Sequence, residues 1–301
     1  MYTLSNPNEV KKKRRRRFGD RKDGRKIRSL APMNYLSPYL QPTRTGSSNL
    51  MADSLDMENV DRYIKEKQDA GFKGFGILHV FVAAYVRTVS QRPGINRFIS
   101  RQKIFARNNI EVIMTIKKEM SLNADETVIK VYPEPNATAE DVFRILDEEI
   151  AKNKGNTESD FDGIARVINY IPGLMLKFFV WMLKTMDYFG IMPKALLKVS
   201  PFHGSLVITS LGSLGIPPVF HHLYDFGNAP LFIAFGAKRR ENVLDDDGSV
   251  KKKKFVDYRI VTDERICDGH YYASALKYMR KLLKNPWLLD VPPEEVIEDI
   301  D

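Results

Sequence analysis

The feature that most restricts the fold is the order in which strand-like and helix-like segments follow one another. Apolar residues alternate at period two in residues 110–116 and 127–132, as in half-buried strands. Further strands are predicted at 51–57, 98–101, 103–106, 207–211, 231–237 and 255–261. Helices interrupt these strands without strict strand–helix–strand alternation. The order therefore predicts an α/β fold, a two-layer sandwich in which helices cover a mixed β-sheet.

Segments with helical periodicity predict the helices that form the second layer of the sandwich. The segments with this pattern are 58–69, 77–90, 139–151 and 273–283, and residues 25–40 are predicted to form a short helix that ends near Pro42. Asp245 to Gly248 is a turn signal between the last two strands. No Gly-rich loop lies between a strand and a helix, which argues against a doubly wound nucleotide-binding fold.

Composition predicts a globular chain in a reducing compartment. With 301 residues, of which 43% are hydrophobic, the chain can bury a large core. Cys267 is the single cysteine, so an internal disulfide is excluded, and no apolar signal region follows Met1. These features indicate a cytoplasmic protein.

The net charge of +9 is concentrated at the N-terminus. Residues 1–28 hold 12 Lys/Arg against Glu9, Asp20 and Asp23, a surplus equal to the whole net charge. The rest of the chain is therefore neutral, and specific nucleic-acid binding is not expected. Residues 1–24 are predicted to be a mobile basic arm, either simply solvated or able to contact RNA, an acidic partner or an anionic membrane surface.

Two short motifs carry a family resemblance. The stretch Asp263-Glu264-Arg265-Ile266-Cys267-Asp268-Gly269 resembles the His-Arg-x-x-Asp-Gly signature of the coenzyme A dependent acyltransferases typified by chloramphenicol acetyltransferase and by the catalytic domain of dihydrolipoyl acyltransferases. Ile208-Thr209-Ser210-Leu211-Gly212 is similar to their Thr-x-Ser-x-x-Gly segment. The resemblance covers roughly residues 25–286, which are predicted to be one acyltransferase-like domain, and it implies a chloramphenicol acetyltransferase-like fold.

The resemblance also implies roles for particular residues. Ser210 takes the position that stabilises the oxyanion, and Glu264 that of the catalytic His base. Asp268 takes the position of a structural Asp paired with an Arg of the opening helix, for which Arg28 is favoured over Arg25. Gly269 would permit a tight turn. The family further implies coenzyme A or acyl-coenzyme A as a substrate and a homotrimer with active sites between subunits, and no lipoyl group is expected.

Glu264 is the main departure from the family. A Glu of ordinary pKa, about 4.3, is a weaker base than a His of about 6.5 toward a thiol of about 8.5, which adds roughly 3 kcal/mol to proton transfer. A dry pocket can raise the pKa of a carboxyl group and recover much of this deficit. Three interpretations stay open: a substitute base, a catalytically inactive trimeric scaffold or ligand-binding protein, and a shifted alignment or other chemistry.

No other residue clearly supplies the missing imidazole. His221 and His222 begin an imperfect second copy of the motif that ends at Gly227 and is predicted to be a loop. His270 is expected at a helix start and His79 in the core, and His203 lies in neither motif. The acidic cluster at Asp263 to Asp268 has no His or Cys at zinc spacing, so no metal is expected.

A second departure is an apolar helical insertion at about 161–200. Within it, residues 171–197 are almost wholly apolar, but the run is too short and too charged to span a membrane. It could be a buried helix, a subunit contact or an interfacial helix on lipid. Residues 287–301 are predicted to be an acidic tail.

Overall fold

The computed structural model describes residues 4–5, 16–117, 126–155, 170–245 and 247–301. Most of the predicted basic arm and residues 161–169 of the insertion lie outside these ranges. The strands are β1 Leu4–Ser5, β2 Gly24–Lys26, β3 Ser48–Asp56, β4 Arg97–Ser100, β5 Lys103–Arg107, β6 Val112–Lys117, β7 Glu126–Val131, β8 Leu206–Ser210, β9 Leu231–Leu244, β10 Val250–Asp263 and β11 Val296–Ile297. The α-helices are α1 Pro32–Leu40, α2 Glu58–Asp69, α3 Ile77–Gln91, α4 Ala139–Gly155, α5 Gly173–Phe189, α6 Lys194–Val199 and α7 Gly269–Lys284.

Six strands form the central sheet, in the order β3-β10-β9-β8-β6-β7. The pairs β6–β8 and β8–β9 are parallel, and the other neighbours are antiparallel. The predicted mixed sheet is therefore confirmed. A three-stranded sheet, β2-β5-β4, and the short pair β1-β11 complete the strand pairing that the described residues show.

Helix α3 is the centre of the core. Every residue from His79 to Ser90 is buried, because α3 packs against α4 and α7 while its inner face meets the sheet. Phe81 stacks on Phe235 of β9 with ring centroids 5.1 Å apart and meets Tyr258 of β10 edge-on. A helix that is apolar on nearly all sides requires this position, which agrees with the long apolar pattern in the sequence.

The β9–β10 hairpin extends well beyond the predicted strands. Both strands have 14 residues, and their turn is closed by a hydrogen bond from Gly248 N to Asp245 O of 2.9 Å. The distal half of the hairpin is mostly exposed and carries the run Lys251 to Lys254. Cross-strand backbone bonds, rather than an alternating apolar face, hold this half together, so hydrophobic periodicity could not locate it.

The segment predicted as one helix over residues 25–40 is divided. Gly24–Lys26 pairs with β5, and α1 begins only at Pro32. A Cβ at Gly24 would lie 2.6 Å from the Phe98 ring, so this close approach requires glycine. Pro32 then favours a helix start because it has no N–H to satisfy.

Both terminal regions pack on the domain where the structure describes them. Arg21, inside the predicted arm, is 2% exposed and forms ion pairs with Asp23 and Asp187 at 2.9 and 2.6 Å. In the predicted acidic tail, Leu289 is buried, and β11 pairs with β1. Ordered contacts therefore extend past the predicted boundaries at residues 24 and 287.

Candidate active site

The turn that follows β10 is held by a buried carboxylate. Arg265 donates from Nε and Nη2 to the two oxygens of Asp263, at 2.8 and 2.7 Å. Arg44 Nε lies 3.5 Å from Asp263 Oδ2, and burial lowers the pKa of Arg44 although Asp263 opposes that effect. The bidentate geometry fixes the backbone on both sides of Glu264, since Asp263 and Arg265 are its neighbours in the chain.

Two further hydrogen bonds connect this turn to the helices around it. Tyr272 of α7 donates its hydroxyl to Asp263 O at 2.7 Å, and Arg265 Nη1 donates to Gln41 O at 2.7 Å. Burial raises the pKa of Tyr272 well above its ordinary value, so its hydroxyl remains a donor. The end of α1 and the start of α7 are thus attached to the same turn.

Glu264 is half-buried and has one side-chain partner. Gln41 Nε2, just after α1, donates to Glu264 Oε1 at 2.5 Å. Within the described residues, no hydrogen bond to Oε2 is formed. The carboxylate is therefore oriented through one oxygen, and the other can accept a proton.

Asp268 and Gly269 begin α7. Asp268 is exposed and caps the helix, accepting a hydrogen bond from Tyr271 N at 2.9 Å. A Cβ at Gly269 would meet no atom within 4 Å, and its φ is not positive. The tight-turn role predicted for Gly269 therefore has no conformational basis in this structure.

The predicted pair between Arg28 and Asp268 is replaced by another Arg–Asp pair. Arg28 instead binds Asp20 at 2.9 Å. Arg97 binds Asp299 through Nε and Nη2 at 2.7 and 2.5 Å, and its Nη1 donates to Ile266 O at 3.3 Å. An Arg–Asp pair thus does support the turn after Glu264, but it comes from β4 and the C-terminal segment.

Sequence reasoning missed this Arg97–Asp299 pair. Burial lowers the pKa of Arg97, but its bonds to Asp299 outweigh that effect and the net pKa is raised. Arg25 adds two bonds at 2.5 Å each, to Asp299 O and Ile300 O. The signal in the sequence was weak, since Asp299 is one of several acids in a segment that looked solvated.

Cys267 lies in the same turn and is buried. Burial raises the pKa of its thiol far above the usual range, with a smaller opposing effect from Arg97. The thiol is therefore protonated at neutral pH and cannot act as a nucleophile. This agrees with its interpretation as a small buried hydrophobic residue.

Ser210 lies at the other end of the central sheet. It ends β8, is exposed, and pairs in register with Phe235 of β9, which in turn faces Tyr258 of β10. Glu264 is six positions beyond Tyr258, a distance of about 20 Å along a strand. The two predicted catalytic residues therefore do not meet within one chain.

The histidines do not replace the missing base. In the part of the chain that the structure describes, no histidine side chain forms a hydrogen bond with Glu264. His221 stacks on Phe232 at 4.3 Å, and burial lowers its pKa. His79 accepts a hydrogen bond from Gly76 N, and burial lowers its pKa as well. Asp225, in the imperfect second motif, accepts bonds from Arg44 N and Thr45 N and so fixes a loop.

A cavity of about 880 Å³ lies beside the Arg97–Asp299 pair. Its lining includes Arg25, Asn96, Arg107 and Asp299. Arg107 is buried, and among the described residues its Nε and Nη1 atoms have no hydrogen-bond partner, whereas Nη2 donates to Asn228. A cavity lined by arginines is chemically suited to an anionic ligand such as a phosphate.

The fold and this arrangement define a chain of the chloramphenicol acetyltransferase-like fold. It is similar to a probable dihydrolipoamide acetyltransferase from Listeria monocytogenes, with TM-score 0.55, 15% identity, and coverage of 87% of this chain and 95% of that one. It is also similar to the dihydrolipoamide acetyltransferase of Azotobacter vinelandii, whose catalytic mechanism has been investigated at a serine, a histidine and an asparagine. The TM-score is 0.56 at 11% identity, and the match covers 87% of this chain and 93% of that one. A chloramphenicol acetyltransferase matches with TM-score 0.50 and 10% identity, over 83% of this chain and 94% of that one.

At these identities the likeness concerns the fold, and the predicted fold class is confirmed. No protein-family model matches the sequence. The search of curated proteins also returned no match.

Proposed function

We propose that the protein transfers an acyl group from coenzyme A to an acceptor, in a homotrimer whose active sites combine Ser210 of one subunit with Glu264 of the next. The observation that carries the proposal is the position of these residues at opposite ends of the sheet. A site that uses both requires two copies of the chain, and a cyclic arrangement of identical subunits provides such sites.

In this mechanism Glu264 Oε2 removes the proton of the acceptor while the acceptor attacks the thioester carbonyl. Gln41 holds the other carboxylate oxygen and so orients the base. The Ser210 hydroxyl donates a hydrogen bond to the tetrahedral oxyanion. The intermediate then collapses, the coenzyme A thiolate leaves, and it takes the proton back from Glu264.

The cavity beside Arg107 is our candidate site for the phosphates of coenzyme A. Arg107 and Arg25 line this cavity, and their positive charges attract anionic oxygens. The assignment is supported by Asp299, which lines the cavity and whose partner Arg97 donates to Ile266 O in the turn that carries Glu264.

A second candidate function is a noncatalytic scaffold of the same fold. This function is favoured by Glu264, whose carboxylate stands where the family has the imidazole of its catalytic His. One oxygen of that carboxylate already accepts a hydrogen bond from Gln41. A carboxylate of ordinary basicity is about 2 pKa units less basic than an imidazole, so acyl transfer would be slow without compensation.

One set of experiments separates the two. The full chain is incubated with acetyl-coenzyme A and a series of thiol, hydroxyl and amine acceptors, and release of the free thiol is followed while calorimetry measures binding. Release that disappears in Glu264→Gln and falls in Ser210→Ala supports the enzyme. Binding without release, followed by activity in Glu264→His, supports a scaffold that kept the site, and absence of both binding and release excludes the transferase.

A further inference from the structure

Helix α5, Gly173–Phe189, presents an unusual outer surface. The structure describes all of its residues, and none of them is buried. Its exposed large apolar side chains are Leu174, Met175, Phe178, Val180, Trp181, Tyr188 and Phe189. Trp181 is 60% exposed and Phe178 is 57% exposed. A contiguous patch of seven large apolar side chains on a globular protein marks a surface that binds another protein or a membrane.

The charges on this part of the chain are divided between two faces. Asp187 is the single acidic residue in 173–199, and its side chain is only 14% exposed. Its carboxylate binds Arg21 at 2.6 Å and lies 3.3 Å from His203 Nε2. Burial would raise the pKa of Asp187, but these two partners lower it to about 2, so its carboxylate is ionised at neutral pH.

The outer face is left apolar and cationic. Lys177 and Lys184 are exposed on α5, and Lys194 and Lys198 are exposed on the neighbouring helix α6. Trp181 lies between the first two lysines in the sequence. An aromatic side chain flanked by lysines is the composition that favours the boundary between lipid headgroups and acyl chains.

We propose that the outer face of α5 and α6 binds the surface of an anionic lipid bilayer. A two-fold contact that paired this face with the same face of another copy would bring lysines against lysines, which disfavours that pairing. Within the residues described, no helix is long and apolar enough to cross a membrane, so α5 would lie in the plane of the interface.

The tryptophans make this proposal directly measurable. The chain has two, and Trp287 packs against Tyr63. In a full chain carrying Trp287→Phe, Trp181 is the sole tryptophan emitter. We expect its emission to shift to shorter wavelength, and the protein to float with vesicles, when phosphatidylcholine vesicles contain phosphatidylglycerol. If Trp287→Phe does not fold, quenching of the unaltered chain by brominated lipids reports the same contact.

Charge variants test the role of the lysines. Each basic residue near an anionic surface contributes about fivefold to partitioning, so Lys177→Gln with Lys184→Gln should weaken vesicle binding about 25-fold. Lys277→Gln with Lys284→Gln on α7 removes the same charge at the same spacing and should change binding less than about twofold.

Three results would overturn the proposal. The first is no flotation with anionic vesicles. The second is an equal loss of binding in both double variants, which would assign binding to net charge and the arm. The third is a blue shift of Trp181 that appears with protein concentration in the absence of vesicles, which would show that a second copy covers the face.

Discussion

Arg97 and Asp299, 202 residues apart in the sequence, form a bidentate ion pair that also holds the carbonyl of Ile266 two residues after Glu264. Both side chains are 6% exposed, so water screens their charges only weakly. The C-terminal segment is thereby part of the support of the candidate active site. This contact links the stability of the chain to the position of its proposed base.

Removing one partner of this pair should be costly. We expect Asp299→Ala to lower the free energy of unfolding by about 3 kcal/mol, because Arg97 would remain buried without its counter-charge. Urea denaturation followed by circular dichroism measures this loss. The control is Glu148→Ala, which removes the acidic partner of exposed Lys152 and should leave the transition midpoint unchanged. Equal effects in the two variants would contradict the structural role of Asp299.

Complementation tests the two-chain active site. In the proposed trimer, Glu264→Gln chains alone are inactive and Ser210→Ala chains alone keep only residual activity. Random mixed trimers regain about a quarter of the sites, because one interface in four joins an intact Ser210 to an intact Glu264. Thiol release after co-expression measures the recovery. Mixed samples that stay inactive, although mass measurement shows mixed trimers, would place both residues in one chain or outside the site.

Gln41 should affect catalysis more than stability. Gln41→Ala frees one oxygen of Glu264 to rotate, so we expect kcat to fall about tenfold or more with a small change in KM. Gln91→Ala, which removes an amide bond to Glu295 O elsewhere in the fold, should leave kcat unchanged. Steady-state kinetics measures kcat and KM of both variants. A similar kcat for the two would show that Gln41 does not position the base.

Lys130 predicts a dependence of stability on pH. Burial lowers its pKa to about 8, although Glu111 lies 3.7 Å away. The unfolded chain therefore binds more protons than the folded chain above about pH 8, and stability should rise by about 1.5 kcal/mol between about pH 8 and about pH 9.5. Chemical denaturation across this range measures the slope. Lys130→Met should abolish the rise, whereas Lys198→Met, at an exposed position, should keep it.

Gly227 should tolerate no side chain. Its φ is +90°, and a Cβ there would lie 2.1 Å from Phe202 O. We expect Gly227→Ala to cost at least about 2 kcal/mol of unfolding free energy. Gly248, with φ of +79° and open space around it, isolates the backbone effect, so Gly248→Ala should cost only about 1 kcal/mol. Thermal unfolding of both variants compares them, and similar losses would remove the packing explanation for Gly227.

Local pattern was sufficient for much of the fold. The helices α2 and α3 and the hairpin β4–β5 lie within a residue or two of their predicted positions, since side-chain periodicity reports which face of an element is buried. Periodicity did not predict the strand β2 within the segment 25–40, because its pairing with β5 depends on contacts about 80 residues away. Long-range backbone pairing overrides local helix preference.

By itself, the sequence determined the order of the elements, the mixed sheet and the two motifs around Ser210 and Glu264. Only the tertiary structure decided which charges meet: Asp299 rather than Asp268 supports the turn, and Arg28 pairs with Asp20. It also separated Ser210 from Glu264 across the sheet. The physical reason is that periodicity is a property of neighbouring residues, whereas an ion pair or a site requires residues that folding brings together from distant parts of the chain.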